Sequence, residues 1–543
     1  MYAEFMKKIF FLSLMLVYIG TSAQVYFSKT YQVTEDSTGL INLWPNYLKA
    51  VFPTDSMIYA FGYSADTSYE HIYGTAFYVF DLKGNLLEYY HMKEKYGYNY
   101  FFPEGIHTWD GKTFYTGFNH FNDQQSILKF NRFTKEQVVF EIRNCLILGG
   151  SITFSNLIGT NDGFIITASA IAIDSTNYNR KIQVTKIDTS GVIQWQKILG
   201  KEPGNGFENS CYATYSDKDG NIYVGIGYTD NLGLGWKADY QNLFYKLDPS
   251  GQLVNSNFSK FGKSGFCLMY DIIQDDKSWF YVSADYNFNE PQYPYGNDGY
   301  GIILVFDSNM HFVSYKSLDF LTPYAGDAYT KSFEKILLSN DGDGLLLGGT
   351  IIHFDTTVSW NDSLMVLDTT TSYRDAVSLV KVDNQLNFLW KKQYRIRNGK
   401  DEGYLYDLKA SPDGGYIIAA ASYVGDAYEK NGEPYWMPWL LKVDDEGCLI
   451  PGCNVVQTHN IEDDSGFMLY PNPAGDYIVI RHTGMEKLSY SILSPEGKIV
   501  DQFSSSFEEE QIIVPLKNFY PGTYLVRCTD NKGRFESKIF VKN

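Results

Sequence analysis

The sequence predicts an all-β chain: a seven-bladed β-propeller followed by a small C-terminal β-sandwich. Three observations carry this reading. A line of apolar residues ending in Lys-x-Asp or a close variant recurs seven times, with its Asp or Asn at positions 81, 131, 188, 248, 307, 383 and 444. A polar turn, often Asp-Gly, precedes each anchor and leads into an apolar run, as in Asp219-Gly220-Asn221-Ile222-Tyr223-Val224 and Pro412-Asp413-Gly414-Gly415-Tyr416-Ile417. No stretch keeps a helical period, while Tyr (45) and Phe (37) are abundant and suit strands.

The chain opens with Lys7 and Lys8, an apolar run from Ile9 to Ile19, and Gly20-Thr21-Ser22-Ala23. A charged start, a short apolar core and small residues predict a signal peptide over 1–23, cleaved between Ala23 and Gln24. The run is too short for a comfortable membrane span, and no later segment is long and apolar enough to cross a bilayer. The net charge of -18 argues against nucleic acid and anionic membrane surfaces.

Residues 24–453 hold the repeats. Each unit reads as four strands: A leads into the Asp-Gly turn, B leaves it, C ends at the anchor, and D follows the next hairpin. Asp-Gly and Asn-Gly supply the positive φ that tight hairpins need. Four strands in about 60 residues, repeated, describe propeller blades. The first two units are degenerate, so six or eight blades stay open beside seven. Unit seven lacks a D strand before Pro451, and Val25-Tyr26-Phe27-Ser28-Lys29-Thr30-Tyr31 has the look of one, so this segment is expected to complete the last blade. Cys448 and Cys453 flank Pro451-Gly452 and can close a small disulfide loop in an oxidising compartment. Residues 454–465 are polar and read as a linker.

Residues 466–543 carry a different pattern. Tyr470-Pro471-Asn472-Pro473 precedes a short alternating strand. A Pro-Glu-Gly497-Lys498 hairpin follows, then Pro521-Gly522-Thr523-Tyr524 feeding a strand, then a last strand with Lys538, Val541 and Lys542. The order of these pieces resembles the type A C-terminal sorting domain of the type IX secretion system of Bacteroidetes. The resemblance implies recognition by the type IX secretion machinery and its sortase, passage through the periplasm, and a secreted or cell-surface destination. The repeats likewise resemble those of secreted Bacteroidetes propellers, with Trp195 and Trp390 at the D-strand tryptophan. That second resemblance implies no defined activity.

No catalytic motif stands out. His-Glu-x-x-His, Gly-x-Ser-x-Gly, a Walker loop and Cys-x-x-Cys are all absent, and the eight histidines are scattered without metal spacing. The Asp-rich turns lack a calcium loop. No cofactor and no metal are expected. Long B–C loops over Tyr286–Tyr300, His353–Ala376 and Tyr423–Trp439 carry Tyr293, Tyr295, Tyr435, Trp436 and Trp439, the candidate ligand face. The expected function is therefore a propeller that binds a glycan or a protein outside the cell. The alternative is a propeller enzyme acting on polysaccharide, of glycoside hydrolase or lyase type.

Overall fold

The computed structural model describes residues 26–31, 47–65, 73–92, 104–119, 125–142, 154–160, 162–172, 180–200, 207–208, 213–229, 240–260, 265–288, 300–317, 328–361, 366–395, 402–424, 435–449, 467–470, 474–482, 489–494, 498–504, 511–529 and 535–542. The predicted signal peptide lies outside them. The chain divides into two compact units, Met1–Pro451 and Gly452–Asn543.

The first unit is a ring of seven antiparallel sheets, each built from an inner strand A outward to D. The inner strands of blades 1 to 7 are Tyr47–Pro53, Glu104–His107, Phe154–Gly159, Ala213–Ser216, Gly265–Gln274, Ala328–Leu338 and Glu402–Ala410. In blade 4 a short piece, Phe207–Glu208, joins the same side. Each inner strand packs against that of the next blade, and that of blade 7 packs against that of blade 1. The ring therefore closes at seven. Its apolar cores lie between neighbouring blades: Leu48, Ala60 and Tyr78 of blade 1 meet Ile417, Ala419 and Leu440 of blade 7.

Closure uses the N-terminal segment as the sequence predicts. Phe27–Thr30 pairs antiparallel with Tyr435–Val443, the C strand of blade 7, in the register Phe27↔Lys442 to Thr30↔Trp439. The last blade thus takes its outer strand from the start of the chain. Trp439 is buried and its indole N–H donates to Ser28 Oγ at 2.9 Å.

The recurring Asp residues cap turns. Asp188 Oδ1 accepts from the amides of Ser190 and Val192 at 2.9 and 3.0 Å. Asp81, Asp248, Asp307, Asp383 and Asp444 repeat the pattern at their C–D turns, as do Asp217 and Asp275 at A–B turns. The side-chain donors Ser190, Ser250 and Asn387, followed by turn amides, hold Asp188, Asp248 and Asp383 below the usual carboxylate range.

These turns also join the blades. Gly251 of blade 4 has φ +82, and a Cβ there would lie 2.6 Å from the Trp195 ring of blade 3. Trp195 Nε1 donates to Pro249 O at 3.1 Å. Phe140 covers Gly191, Trp390 covers Gly447 and Phe27 covers Gly84 in the same way. Tyr394 and Tyr31 add hydroxyl bonds of 2.7 Å to the carbonyls of Gly447 and Gly84. The D-strand aromatic of one blade is thus a lid over the turn glycine of the next, and the N-terminal segment supplies the lid at the closure. Blades 5 and 6 place Met310 (φ 67) and Leu386 (φ 61) at the glycine position; the Met310 side chain is buried in the core between blades 4 and 5.

The Lys of the anchor line has a partner in the same blade. Lys186 Nζ reaches Asp162 Oδ2 at 3.0 Å, and Lys381 and Lys442 pair with Asp341 and Asp413 of their A–B turns. Lys442 is fully buried. In these three blades the two repeated signatures are the two ends of one ion pair, which clamps strand C to the A–B turn.

Two of the predicted B–C loops contain strand where loop was expected. Gly344–Asn361 and Val366–Asp383 stay paired along their full lengths, so His353–Ala376 is mostly a long hairpin. Its β-branched runs (Thr356, Thr357 and Val358; Thr369, Thr370 and Thr371) favour extended pairing. Tyr416–Val424 and Tyr435–Val443 likewise extend into Tyr423–Trp439.

The second unit is a β-sandwich. One sheet joins Phe467–Tyr470, Tyr477–His482 and Gln511–Pro515; the other orders Ile499–Ser504, Ser489–Leu493, Gly522–Thr529 and Phe535–Lys542. Between them lies a core that includes Ile478, Ile480, Tyr490, Val526 and Phe540.

Candidate functional site

Seven inner strands converge on a central channel, and their backbone irregularity decides what faces it. Pairing with strand B shifts register between Leu48 and Ala50, Met269 and Asp271, Phe333 and Lys335, and Leu405 and Asp407. Each shift is a β-bulge, which leaves one residue unpaired and re-aims its side chain. The residues so placed are Lys49, Tyr270, Glu334 and Tyr406, and all four line a channel cavity of about 190 Å³.

The acids of this region differ in their partners. Asp407 Oδ2 accepts from Val51 N at 2.9 Å, tying blade 7 to blade 1, and its Oδ1 meets Lys409 Nζ at 3.2 Å. Asp271 Oδ2 accepts from Ile336 N at 3.3 Å, tying blade 5 to blade 6. Burial pushes the Asp271 carboxyl up against the opposing pull of Lys335 and Lys409. Glu334 and Asp285 have neutral donors instead. Glu334 Oε1 accepts from the Ser332 and Thr350 hydroxyls at 2.5 and 3.4 Å. Glu334 Oε2 is buried with no hydrogen-bond partner. Asp285 accepts from Leu268 N and the Tyr270 hydroxyl, both at 3.0 Å. Burial pushes Glu334 up to about 7, with a smaller contribution from the Asp285 charge. Burial likewise raises Asp285 to about 6.

An aromatic tract continues from the cavity. Lys49 Nζ lies 3.9 Å over the Tyr406 ring, and Tyr47 lies 5.7 Å from Tyr406. Tyr47 meets Trp436 edge-on at 6.1 Å, and Trp436 is 5.2 Å from Tyr404 and 5.0 Å from Tyr423. Trp436 and Tyr423 stand at the B–C end of blade 7, so the tract links that end to the channel. Burial, then a hydrogen bond to Asp375, raises the Tyr404 hydroxyl.

The predicted ligand face is changed by this geometry. Trp436 is half-buried and joins the tract. Trp439 is 1% exposed; strand C carries it into the core between blades 6 and 7, where it bonds Ser28 of the closing strand and offers no face to a ligand. Tyr435 is a strand residue paired with Val424. Tyr293 and Tyr295 lie outside the described residues. Lys49, Tyr270, Glu334 and Tyr406 were not singled out by sequence reasoning. A signal existed in Tyr406-Asp407 and Glu334-Lys335, two adjacent polar residues inside apolar strands, a break in period two that marks a bulge.

Cys448 is disulfide-bonded; Cys453, its expected partner, lies outside the described residues. Among the described residues no group of three His, Cys, Asp or Glu side chains could hold a metal ion, and no helix is long and apolar enough to cross a membrane.

In the sandwich, the sorting-motif positions fall on connected strands. Tyr470 ends the first strand, and Ala474 N, just past Pro471-Asn472-Pro473, donates to Val541 O of the last strand at 2.6 Å. Pro521 and Lys498 are exposed. Gly522 opens the strand that pairs with the last one, where it faces Lys542, and Lys538 faces Val526. Tyr524 is buried and its hydroxyl donates to Tyr520 O at 2.8 Å. The residues 471–473 and Gly497 lie outside the described residues. Residues 468–542 match the family model of the secretion system C-terminal sorting domain. The sorting domain supports export by the type IX secretion system and implies an interaction with its machinery.

No curated protein matches the chain. Among solved structures it is similar to the periplasmic gluconolactonase PpgL of Pseudomonas aeruginosa, at 12% identity over 74% of this chain and 97% of that one, with a TM-score of 0.39. Sqt1 of Chaetomium thermophilum matches at 9% identity over 73% and 95%, with a TM-score of 0.37. The acylaminoacyl peptidase of Pyrococcus horikoshii matches at 12% identity over 81% and 58%, with a TM-score of 0.38. Similarity at this level says nothing about function.

Proposed function

We propose that the protein is an exported binding protein: its first 23 residues are removed as a signal peptide, and type IX secretion with its sortase delivers the propeller to the cell surface or the medium. There the propeller binds a glycan or a protein. One observation carries the binding role: bulged inner strands direct Lys49, Tyr270, Glu334 and Tyr406 into one cavity, and an aromatic tract runs from it to Trp436. Polar groups converging in a concave site with aromatic walls are the usual make-up of a ligand site. Tyr293 and Tyr295 would extend the face from blade 5.

A screen against glycans and surface proteins tests this reading. Trp436→Ala should weaken the bound ligand about tenfold or more while the melting temperature changes little, as expected for a half-buried aromatic hot spot. A ligand indifferent to Trp436, Tyr293 and Tyr295 would overturn the assignment of the face. A polysaccharide-acting enzyme is the second reading, supported by Glu334, a carboxyl held near neutrality as a general acid requires. Release of reducing ends from a polysaccharide, lost in Glu334→Gln, would favour it.

A further inference from the structure

We infer that the outer edge of blade 4 is a self-association edge: Leu253–Lys260 pairs antiparallel with the same strand of a second copy of this chain, about a two-fold axis at Ser256. This surface lies on the rim of the ring and does not depend on what the channel binds.

The first argument is what guards the other edges. A strand at the edge of a sheet offers its backbone to any strand that meets it, and a charge within that strand is a common guard. Among the described residues no strand pairs with the outer side of any of the seven D strands. Six of them carry a charge before their last residue: Glu88, Glu141, Lys197, Lys316, Lys391 and Lys29. In blade 4 the strand carries none until Lys260. Leu253, Val254 and Phe258 of that strand are 45%, 56% and 37% exposed. Its bulge falls at Val254, and Asn255 to Lys260 pair with strand C in unbroken register.

The second argument is the symmetry of the strand itself. It reads Val254-Asn255-Ser256-Asn257-Phe258, with an asparagine on each side of the serine and an apolar residue beyond each. An antiparallel copy with Ser256 facing Ser256 sets Asn255 against Asn257 and Val254 against Phe258. Each pair matches in polarity and opposes no charges. A self-complementary strand is what a two-fold interface needs, because one patch must serve both copies. A two-fold at the centre of Phe388–Tyr394 in blade 6 would instead set Lys391 against Lys391, and like charges directly opposite are destabilising.

The third argument is continuity with the core. Phe258 and Ser256 pair with Leu243 and Tyr245, which belong to the core between blades 3 and 4. Paired residues share a face of the sheet, so Phe258 carries that core out to the rim, where Val254 of the second copy covers it. Eight residues a side is well short of the roughly 20–30 of a standard interface, so the dimer is weak and concentration governs it.

The test measures the mass of the full chain by sedimentation equilibrium between about 1 μM and 1 mM, the range of weak association. The mass should rise from one copy to two. Ser256 is exposed, so its substitution should leave the melting temperature nearly unchanged. Ser256→Lys sets two ammonium groups face to face and should weaken association about tenfold or more, and Ser256→Glu should do the same. An equimolar mixture of the two variants should regain the dimer, because the facing charges are then opposite. Ser314→Lys, on the outer strand of blade 5, controls for added charge alone and should leave the mass unchanged. If one Ser256 variant does not fold, the other and the Ser314→Lys control decide. A one-copy mass at every concentration overturns the inference, and so does a dimer that survives substitution of Ser256 or is lost equally in Ser314→Lys. Failure of the mixed variants to pair overturns the two-fold at Ser256 and the inference with it.

Discussion

At Glu334 a carboxyl meets two hydroxyls, and no cation among the described residues forms an ion pair with it. Its carboxyl rises from 4.5 to about 7 in the folded chain, chiefly through burial. Between those values the folded state holds a proton that the unfolded state has released, so stability falls as pH rises through that window. The effect is on the order of 3 kcal/mol. Glu334→Gln should therefore raise the melting temperature at pH 8 and flatten its decline from pH 5; melts with identical slopes in the two proteins would contradict this. Asp341 runs the other way. Burial opposes its ionisation, but Lys381, Ser339 and the Asp343 amide outweigh burial and lower it to about 2, so its contribution is present above about 3.8 and is lost on acidification toward 2. The turn glycines give a second test. Gly251 and Gly111 both have positive φ, yet a Cβ at Gly251 meets Trp195 while one at Gly111 meets nothing within 4 Å. Gly111→Ala should cost about 1 kcal/mol, and Gly251→Ala clearly more by denaturant unfolding. The capping Asp residues were legible because their partners lie two and four residues on. Glu334 was not, because the burial that shifts it comes from the channel, which strands of several blades line together.

Among the elements, the N-terminal strand is the one whose role is out of proportion to its length. Phe27–Thr30 complete blade 7 and cover Gly84 with Phe27, and the next residue, Tyr31, places its hydroxyl on the carbonyl of Gly84 in blade 1. Deleting residues 25–31 should lower the melting temperature markedly and expose blade 7 to proteolysis first; an unchanged melt would show that the ring does not depend on this strand. This pairing was legible because Val25–Tyr31 shares the aromatic-Lys-Tyr pattern of Phe388–Tyr394. The ion-pair clamp has its own test. Asp413→Ala leaves the buried Lys442 ammonium uncompensated and should cost about 3–5 kcal/mol, whereas Lys442→Met should cost much less. Equal losses would mean that packing of the lysine stem, and not its charge, is what matters. The bulges are faint in the sequence, since each break in period two, as at Glu334-Lys335 and Tyr406-Asp407, spans only two residues of a longer apolar strand. The long hairpin of blade 6 differs from the expected loop because its Thr runs, polar but β-branched, favour extended pairing.

For the whole molecule, the repeat count and the closing strand together specify a seven-membered ring, and periodic turn chemistry made that ring visible before any coordinates. The ligand site was only half visible. Trp436 was named for its aromatic face, but the same argument named Trp439, which strand C turns into the blade interface. The C-terminal unit was legible for another reason: its signals are short contiguous motifs, and the Ala474–Val541 bond ties the segment after Tyr470, in one sheet, to the last strand, in the other. The last strand, Phe535–Lys542, lies at the edge of its sheet, with one backbone edge free of a strand neighbour among the described residues. The most direct measurement is the distribution of the protein between periplasm and exterior in a bacterium that has a type IX system. The full chain is compared with a chain lacking Lys538 to Asn543, and protease resistance confirms that the propeller is folded in both. The account predicts the full chain outside the cell and the shortened chain held in the periplasm; a shortened chain that reaches the exterior in the same proportion would contradict it.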